Sequence, residues 1–296
     1  MRVGNRVTGG GSNAGAVGLV LRRPVRTLGI EAFYNELMAG VEDALMVQNR
    51  ALVLHVVPDM ESELDAYQRW QESGRVAGVL LVDVLTDHDP RPALVQELGF
   101  ATLVLAHPED AGGHSALWTD EKAVVNAAVE HLLALGHTRL GRVSGPEALS
   151  HTARRTAAFS GAAAAAGVRA AIAAADFSPE GGAAAVDELF RGEAPPTAIV
   201  FDNDVMAAGA VESLLAKGLR IPEDVSIIAG DDSVLCRITV PALTAMNRDI
   251  HALGEIAGEA MLRLIAGEEV GVITAPPSHL IRRQSTAPFS GGAGGA

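Results

Sequence analysis

The chain has 296 residues, 48% of them hydrophobic, 20% charged and 4% aromatic, which fits a globular protein of one large or two medium domains. Lys and Arg number 23 against 36 Asp and Glu, and the formal net charge of −13 argues against a chain that grips a phosphate backbone by itself. The single cysteine, Cys236, cannot form an internal disulfide and points to a reducing cytoplasm, and no apolar run approaches the ~20 residues of a membrane span.

Residues 1–15 are polar and glycine-rich, are expected to be a flexible linker, and carry no recognisable secretory signal. The glycines of "TGGGSNAG" (8–15) precede a strand, whereas phosphate loops follow a strand and open a helix. Apolar runs then predict strands at 16–21, 51–57, 76–82, 101–106, 138–143, 197–201 and 224–229. Helical patterns fill the intervals at 31–49, 61–74, 120–135, 152–167, 179–191, 203–217 and 249–266. The tail, 289–296, is expected to be flexible. Strands that are apolar throughout, each followed by a helix, predict parallel sheets covered on both faces. The fold class is therefore α/β, with two doubly wound lobes fitting the number of units better than one; a (β/α)8 barrel is the rival at this length.

No motif encodes catalysis. The chain has no G-x-S-x-G elbow, no C-x-x-C and no H-E-x-x-H, and Cys236 has no adjacent histidine. What remains is a set of polar groups where α/β sheets present ligand groups, at strand ends: Asp83, His107, Asn203 and Asp231. Arg155 follows one strand loop and Arg248 precedes a helix, while Phe33, Tyr34 and Phe177 fall in or beside loops. Planar donors, acceptors and aromatic faces suit a polyhydroxylated ring or a purine; the alternative is that the aromatics are core and the arginines solvated. In "FDND" (201–204), Asn203 or Asp204 is placed to cap the following helix.

The segments "AAVEHLLALGHTRLGRVSGP" (127–146), "PTAIVFDNDVMAAGAVESLLAKGLRIPEDVSIIAGDDS" (196–233), "VPALTAMNRDIHALGEIAGEAMLRLIAG" (240–267) and "HLIRRQST" (279–286) resemble the effector-binding core of the lactose/galactose repressor (LacI/GalR) family of bacterial transcription regulators. The resemblance covers residues 16 to 288 and implies two similar lobes of the periplasmic-binding-protein type, joined by three crossovers, with an effector between them. It places the first lobe at 16–136 plus 248–270 and the second at 137–247 plus 271–288, with crossovers at 135–137, 244–247 and 268–272. It implies that Arg155 bonds ligand hydroxyls or carboxylates, that Asn203 and Asp231 are polar ligand groups, that Phe177 stacks on the ligand, that Phe33 and Tyr34 line the pocket, and that Arg248 is a pocket position. Asp202 and Asp204 are then expected to hold the loop and cap the helix.

The sequence departs from the family pattern at His107-Pro108, where an aspartate-arginine pair is usual, and at Ala229-Gly230-Asp231-Asp232, where an aromatic is usual. Ala158 also stands where a glycine is usual, and a strand beginning near residue 16 leaves no room for a helix-turn-helix headpiece of the family type. The expected function is an effector-sensing, homodimeric regulator core that binds a sugar, polyol or nucleoside, without cofactor or metal. It would be cytoplasmic, with no membrane association, and would reach operator DNA only through a headpiece outside this chain. The small residues of helix 205–216 are expected to permit packing against a second copy. The alternatives are a solute-binding protein for a sugar transporter and an enzyme on a similar scaffold; turnover of a sugar or nucleoside would favour the latter.

Overall fold

The structure is a computed structural model that describes residues 15–22 and 32–289. The glycine-rich ends expected to be flexible lie outside the described residues, apart from Gly15 and Phe289. The first lobe contains β1 (Ala16–Arg22), α1 (Ala32–Met46), β2 (Leu52–Val57), α2 (Met60–Ser73), β3 (Val76–Leu81), α3 (Arg91–Glu97), β4 (Ala101–Leu105) and β5 (Ser115–Trp118). The second contains α4 (Glu121–Ala134), β6 (Arg139–Ser144), α5 (Ser150–Ala165), β7 (Arg169–Ala174), α6 (Pro179–Leu189), β8 (Ala198–Phe201), α7 (Asp204–Ala216), β9 (Ser226–Ala229), α8 (Val234–Ile238) and β10 (Thr244–Asn247). The chain then runs through α9 (Ile250–Ile265), β11 (Val272–Thr274) and β12 (His279–Ile281).

Two six-stranded sheets result, ordered β11-β5-β4-β3-β1-β2 and β12-β10-β9-β8-β6-β7. All pairings are parallel except β10 with β12. This is the doubly wound arrangement and not a closed barrel. Central strands such as β1, β3 and β8 are buried on both faces, which is why they are apolar nearly throughout. Each sheet carries two cores. The first is covered by α1 and α9 through Leu37, Val41, Ala257 and Met261, and on its other face by α2 through Tyr67 and Trp70. The second is covered by α6 and α7 through Val186, Leu189, Met206 and Val211, and on the other face by α4 and α5 through Val125, Leu132 and Phe159.

Two of the expected crossovers move. Helix α4 buries Val124, Val125, Ala128, Val129 and Leu132 against Leu140, Ala198 and Ile228 of the second sheet, so the chain changes lobe before that helix, at 119–120, and not at 135–137. Strand β11 pairs with β5 through Val272↔Ala116 and Ile273↔Leu117, which keeps 272–274 in the first lobe. The return therefore lies between Thr274 and His279, a stretch containing Pro276 and Pro277, which cannot donate to a ladder. The remaining crossover lies between the end of β10 at Asn247 and the start of α9 at Ile250. Helix α7 turns Val205, Met206, Ala207, Ala210, Val211 and Leu214 into its own lobe, and of its small residues Ala208 and Gly209 are half-buried and Ala216 exposed.

Helices α1 and α9 touch through glycines. A Cβ on Gly40 would lie 2.0 Å from the carbonyl oxygen of His251, and one on Gly254 would lie 2.3 Å from that of Leu37. Backbone cannot yield at such distances without separating the helices. Gly40→Ala is expected to lower the stability of the chain by about 1–3 kcal/mol, the usual cost of overpacking, read as a lower urea midpoint. An unchanged midpoint would show that the helix pair tolerates separation.

Candidate functional site

The C-terminal ends of the central strands of both sheets face one another across a cleft. The cavity between them holds about 1000 Å³ of space, counting the part open to solvent. All nine residues singled out in the sequence line it: Phe33, Tyr34, Asp83, His107, Arg155, Phe177, Asn203, Asp231 and Arg248. Five carboxylates (Asp83, Glu121, Asp202, Asp204, Asp231) and three guanidiniums (Arg154, Arg155, Arg248) face it among the described residues.

The charges are paired in sequence across the second lobe. Arg155 Nε and Nη2 donate to the two carboxylate oxygens of Glu121 at 2.5 and 3.1 Å, a fork-to-fork contact. Arg248 lies 3.8 Å from Glu121 and donates through Nε to Asp231 Oδ1 at 3.0 Å. Behind them, buried Arg142 holds both oxygens of Asp202 at 2.7 and 2.9 Å, and Gly145 N adds a third bond to that carboxylate at 2.8 Å. Burial pushes the Glu121 carboxyl up, but the Arg155 charge and hydrogen bond, with Arg248 behind, outweigh it and hold the group at about 2. Burial and the adjacent Arg155 charge push His151 down.

The "FDND" turn resolves differently from expectation. Asn203, not Asp204, is the N-cap of α7: its Oδ1 accepts from Met206 N at 2.9 Å, while Nδ2 donates to the carbonyl of Phe177 at 3.2 Å. Asp202 does hold the loop, through Arg142. Asp204 opens the helix nearly buried, and burial followed by the charge of Asp231 pushes its carboxyl up to about 6.

Aromatic faces complete the walls. Phe177 sits at φ 67° and lies directly over Gly145, where a Cβ would meet its ring at 2.1 Å. His151 stacks on that ring with centroids 6.3 Å apart. Phe33 carries the Arg248 guanidinium 5.5 Å from its centroid and meets Tyr34 edge to face. His107 uses Nδ1 to accept from Glu109 N and packs against Trp118 at 5.0 Å. Asp83, at φ 51°, is fixed through its carbonyl by buried Arg91, whose Nη2 donates to it at 2.7 Å. Arg91 is itself held by Asp89 and Glu63.

The lobes also touch beside the cavity. Thr86 N donates to Ala148 O at 2.9 Å and Ser150 N to Val84 O at 2.8 Å, a short antiparallel bridge. Arg154 reaches Asp110 at 2.8 Å and Glu109 at 3.0 Å. Sequence reasoning missed Glu121, His151 and Arg154. His151 is legible in hindsight, because it stands four residues before Arg155 on the same face of α5.

A profile described as the periplasmic binding protein-like domain matches residues 129–286. The HTH-type transcriptional repressor PurR of Escherichia coli is 31% identical over 270 residues, 86% of this chain and 76% of that protein. The chain belongs to the LacI family of transcriptional regulators. Among solved structures, a LacI-family transcriptional regulator from Bifidobacterium animalis subsp. lactis is 35% identical with a TM-score of 0.85, covering 93% of this chain and 98% of that one. A complex of the transcriptional regulator CelR with cellobiose is 26% identical with a TM-score of 0.84, covering 91% and 84%. The chain spans between 47% and 80% of the length of curated regulators that it matches. As in other LacI-family proteins, two lobes of one design enclose a cleft, and this chain is the effector-sensing core of such a regulator rather than a transporter's solute-binding protein.

Asp204 gives this LacI-family core a pH signature. Its folded-state proton is held more tightly than the ordinary 3.8, so the folded chain binds more protons than the unfolded one between 3.8 and about 6. Stability therefore falls as pH rises through that window, and the charged carboxylate remains a cost above it. Asp204→Asn is expected to raise stability by about 1–3 kcal/mol at pH 7.5, with the gain shrinking at pH 5 and gone near pH 4, in urea unfolding at each pH. A gain that is independent of pH would mean that the carboxyl is not responsible.

Proposed function

We propose that the cleft binds a sugar or a closely related polyol, and that its occupancy controls operator binding by a homodimer through a helix-turn-helix headpiece outside this chain. The observation that carries the reading is the wall itself: ion-paired arginines and carboxylates line one cavity between two lobes together with Phe33 and Phe177. Ion-paired carboxylates keep free lone pairs for hydroxyl donors, guanidiniums keep N–H groups for hydroxyl acceptors, and aromatic faces pack on the C–H face of a sugar ring. The cellobiose complex of CelR supports a saccharide over a purine.

On this reading the chain is a sensor and not an enzyme. Cys236 is buried in the core outside the cavity wall, with its thiol pushed up to about 12 by burial. A regulator of this type acts in the cytoplasm, where operator DNA is. Dimerisation draws support from large apolar side chains left exposed in both lobes, Val47, Val53 and Leu54 in the first and Val234, Ile238 and Val240 in the second.

Calorimetry with mono- and disaccharides should give one site per chain. Arg155→Ala should weaken it ten- to a hundredfold, the worth of one charged hydrogen bond, and Phe33→Ala should weaken it while leaving the Arg155–Glu121 pair intact. Normal binding by both variants would remove the cleft as the effector site. Light scattering should find a dimer at micromolar concentration, and the core alone should not retard DNA at physiological salt, because 23 basic against 36 acidic residues leave little to neutralise phosphates. A monomer sinks the first claim; salt-sensitive retardation sinks the second.

A further inference from the structure

A cleft with three arginines in its wall looks built for an anion. The pairing says otherwise. Arg155 gives its two forked donors to Glu121 and approaches Asp202 with the third nitrogen, at 3.5 Å from the backbone oxygen. Arg248 is divided between Asp231 and Glu121. Arg154 is spent on Asp110 and Glu109 across the lobe boundary.

The second common anion device, a helix N-terminus, is also occupied. At the start of α7 the amide of Met206 bonds the Asn203 side chain, and Asp204 places a carboxyl group at the first position of the helix. A carboxylate thus stands where a phosphate would be drawn. Carboxylates outnumber guanidiniums in the cavity wall among the described residues, a balance that disfavours a further anion.

We infer that the cleft selects uncharged hydroxylated effectors and rejects their phosphate esters, with Glu121 as the specificity-determining residue because it neutralises Arg155 and Arg248 together. The inference rests on the sugar reading above and adds a charge rule to it. Glu121 does two things at once. It leaves the arginines enough spare N–H groups to meet hydroxyl oxygens, and it cancels the net charge that would otherwise hold a dianion. A phosphate brought within about 5 Å of one net negative charge in a half-wet site is opposed by roughly a hundredfold in affinity.

The test is calorimetry at pH 7.5 on the full chain, with glucose, ribose and cellobiose, and with glucose 6-phosphate, ribose 5-phosphate and cellobiose 6-phosphate. At least one neutral sugar is expected to bind and its phosphate to bind about a hundredfold more weakly. A phosphate that binds as tightly as its parent sugar, or tighter, overturns the charge rule while the sugar reading stands. Failure of every sugar and every phosphate overturns the sugar reading and this inference with it.

Glu121→Gln then reads the residue's part: the neutral sugar should weaken and the phosphate should gain about tenfold, so that discrimination shrinks. A purely structural role would lower both affinities in step, and that result overturns the assignment of Glu121. Should Glu121→Gln fail to fold, Asp231→Asn releases Arg248 alone and is expected to narrow the same ratio. A ratio equal to that of the unaltered chain again counts against the rule.

Discussion

Arg155 and Arg142 both point toward Asp202 from within the second lobe, and each is almost wholly buried. A guanidinium stripped of water costs several kcal/mol unless charge and hydrogen bonds are returned to it. That requirement organises the cleft. Asp202 is committed to Arg142 and is short of capacity for a second cation, so Arg155 needs Glu121, which sits at the first turn of α4. Helix α4 must therefore pack on the second sheet even though it directly follows a strand of the first. The early lobe change at 119–120 and the ion pair are two views of one constraint.

The same accounting explains why the supporting shell is so polar. Asp83 protrudes from a loop in a left-handed conformation that a non-glycine residue seldom adopts. It stays there because Arg91, buried between Glu63 and Asp89, gathers the carbonyls of Val82 and Asp83. Tyr67 closes the cluster with a 2.6 Å bond to Glu63. Charge buried in the first lobe fixes a backbone, whereas charge buried in the second presents side chains to the cavity.

Most of the central strands were legible in the sequence because burial on both faces writes an unbroken apolar run. The edges were not. Strand β7 reads "RAAIAA", alanine-rich and largely exposed, and alanine has little preference for strands. Strands β5, β10, β11 and β12 have three or four residues each, too short to show a period. The cavity wall was legible where polar groups sit at strand ends, as with Asp83, His107, Asn203 and Asp231. Glu121 was not, because an acidic residue in a first helical turn is ordinary by itself. Its partner Arg155 lies 34 residues on, and only the lobe packing brings them together. Asn203 shows the opposite limit: its position was read correctly, but its polar atoms serve the cap and the Phe177 loop, so what it offers to a ligand is its remaining N–H and lone pair.

Each lobe has a sheet with a packed core on both faces, and such a body resists internal distortion. Any change in cleft width must then be taken up at the three crossovers, 119–120, 248–249 and 275–278. One of these residues, Arg248, is also a wall of the cavity. Its guanidinium lies over Phe33 of the first lobe while it pairs with Asp231 of the second, so it bridges both bodies from within the crossover itself. A ligand that bonds Arg248 acts on the pivot and not only on the walls. The backbone bridge at Leu85–Leu149 and the Arg154 ion pair lie between the same two bodies, and their geometry depends on the same angle. On the proposed reading, a ligand that bonds Arg248 would couple occupancy of the cleft to the relative placement of the lobes, with differential contact at Arg248 as the physical link.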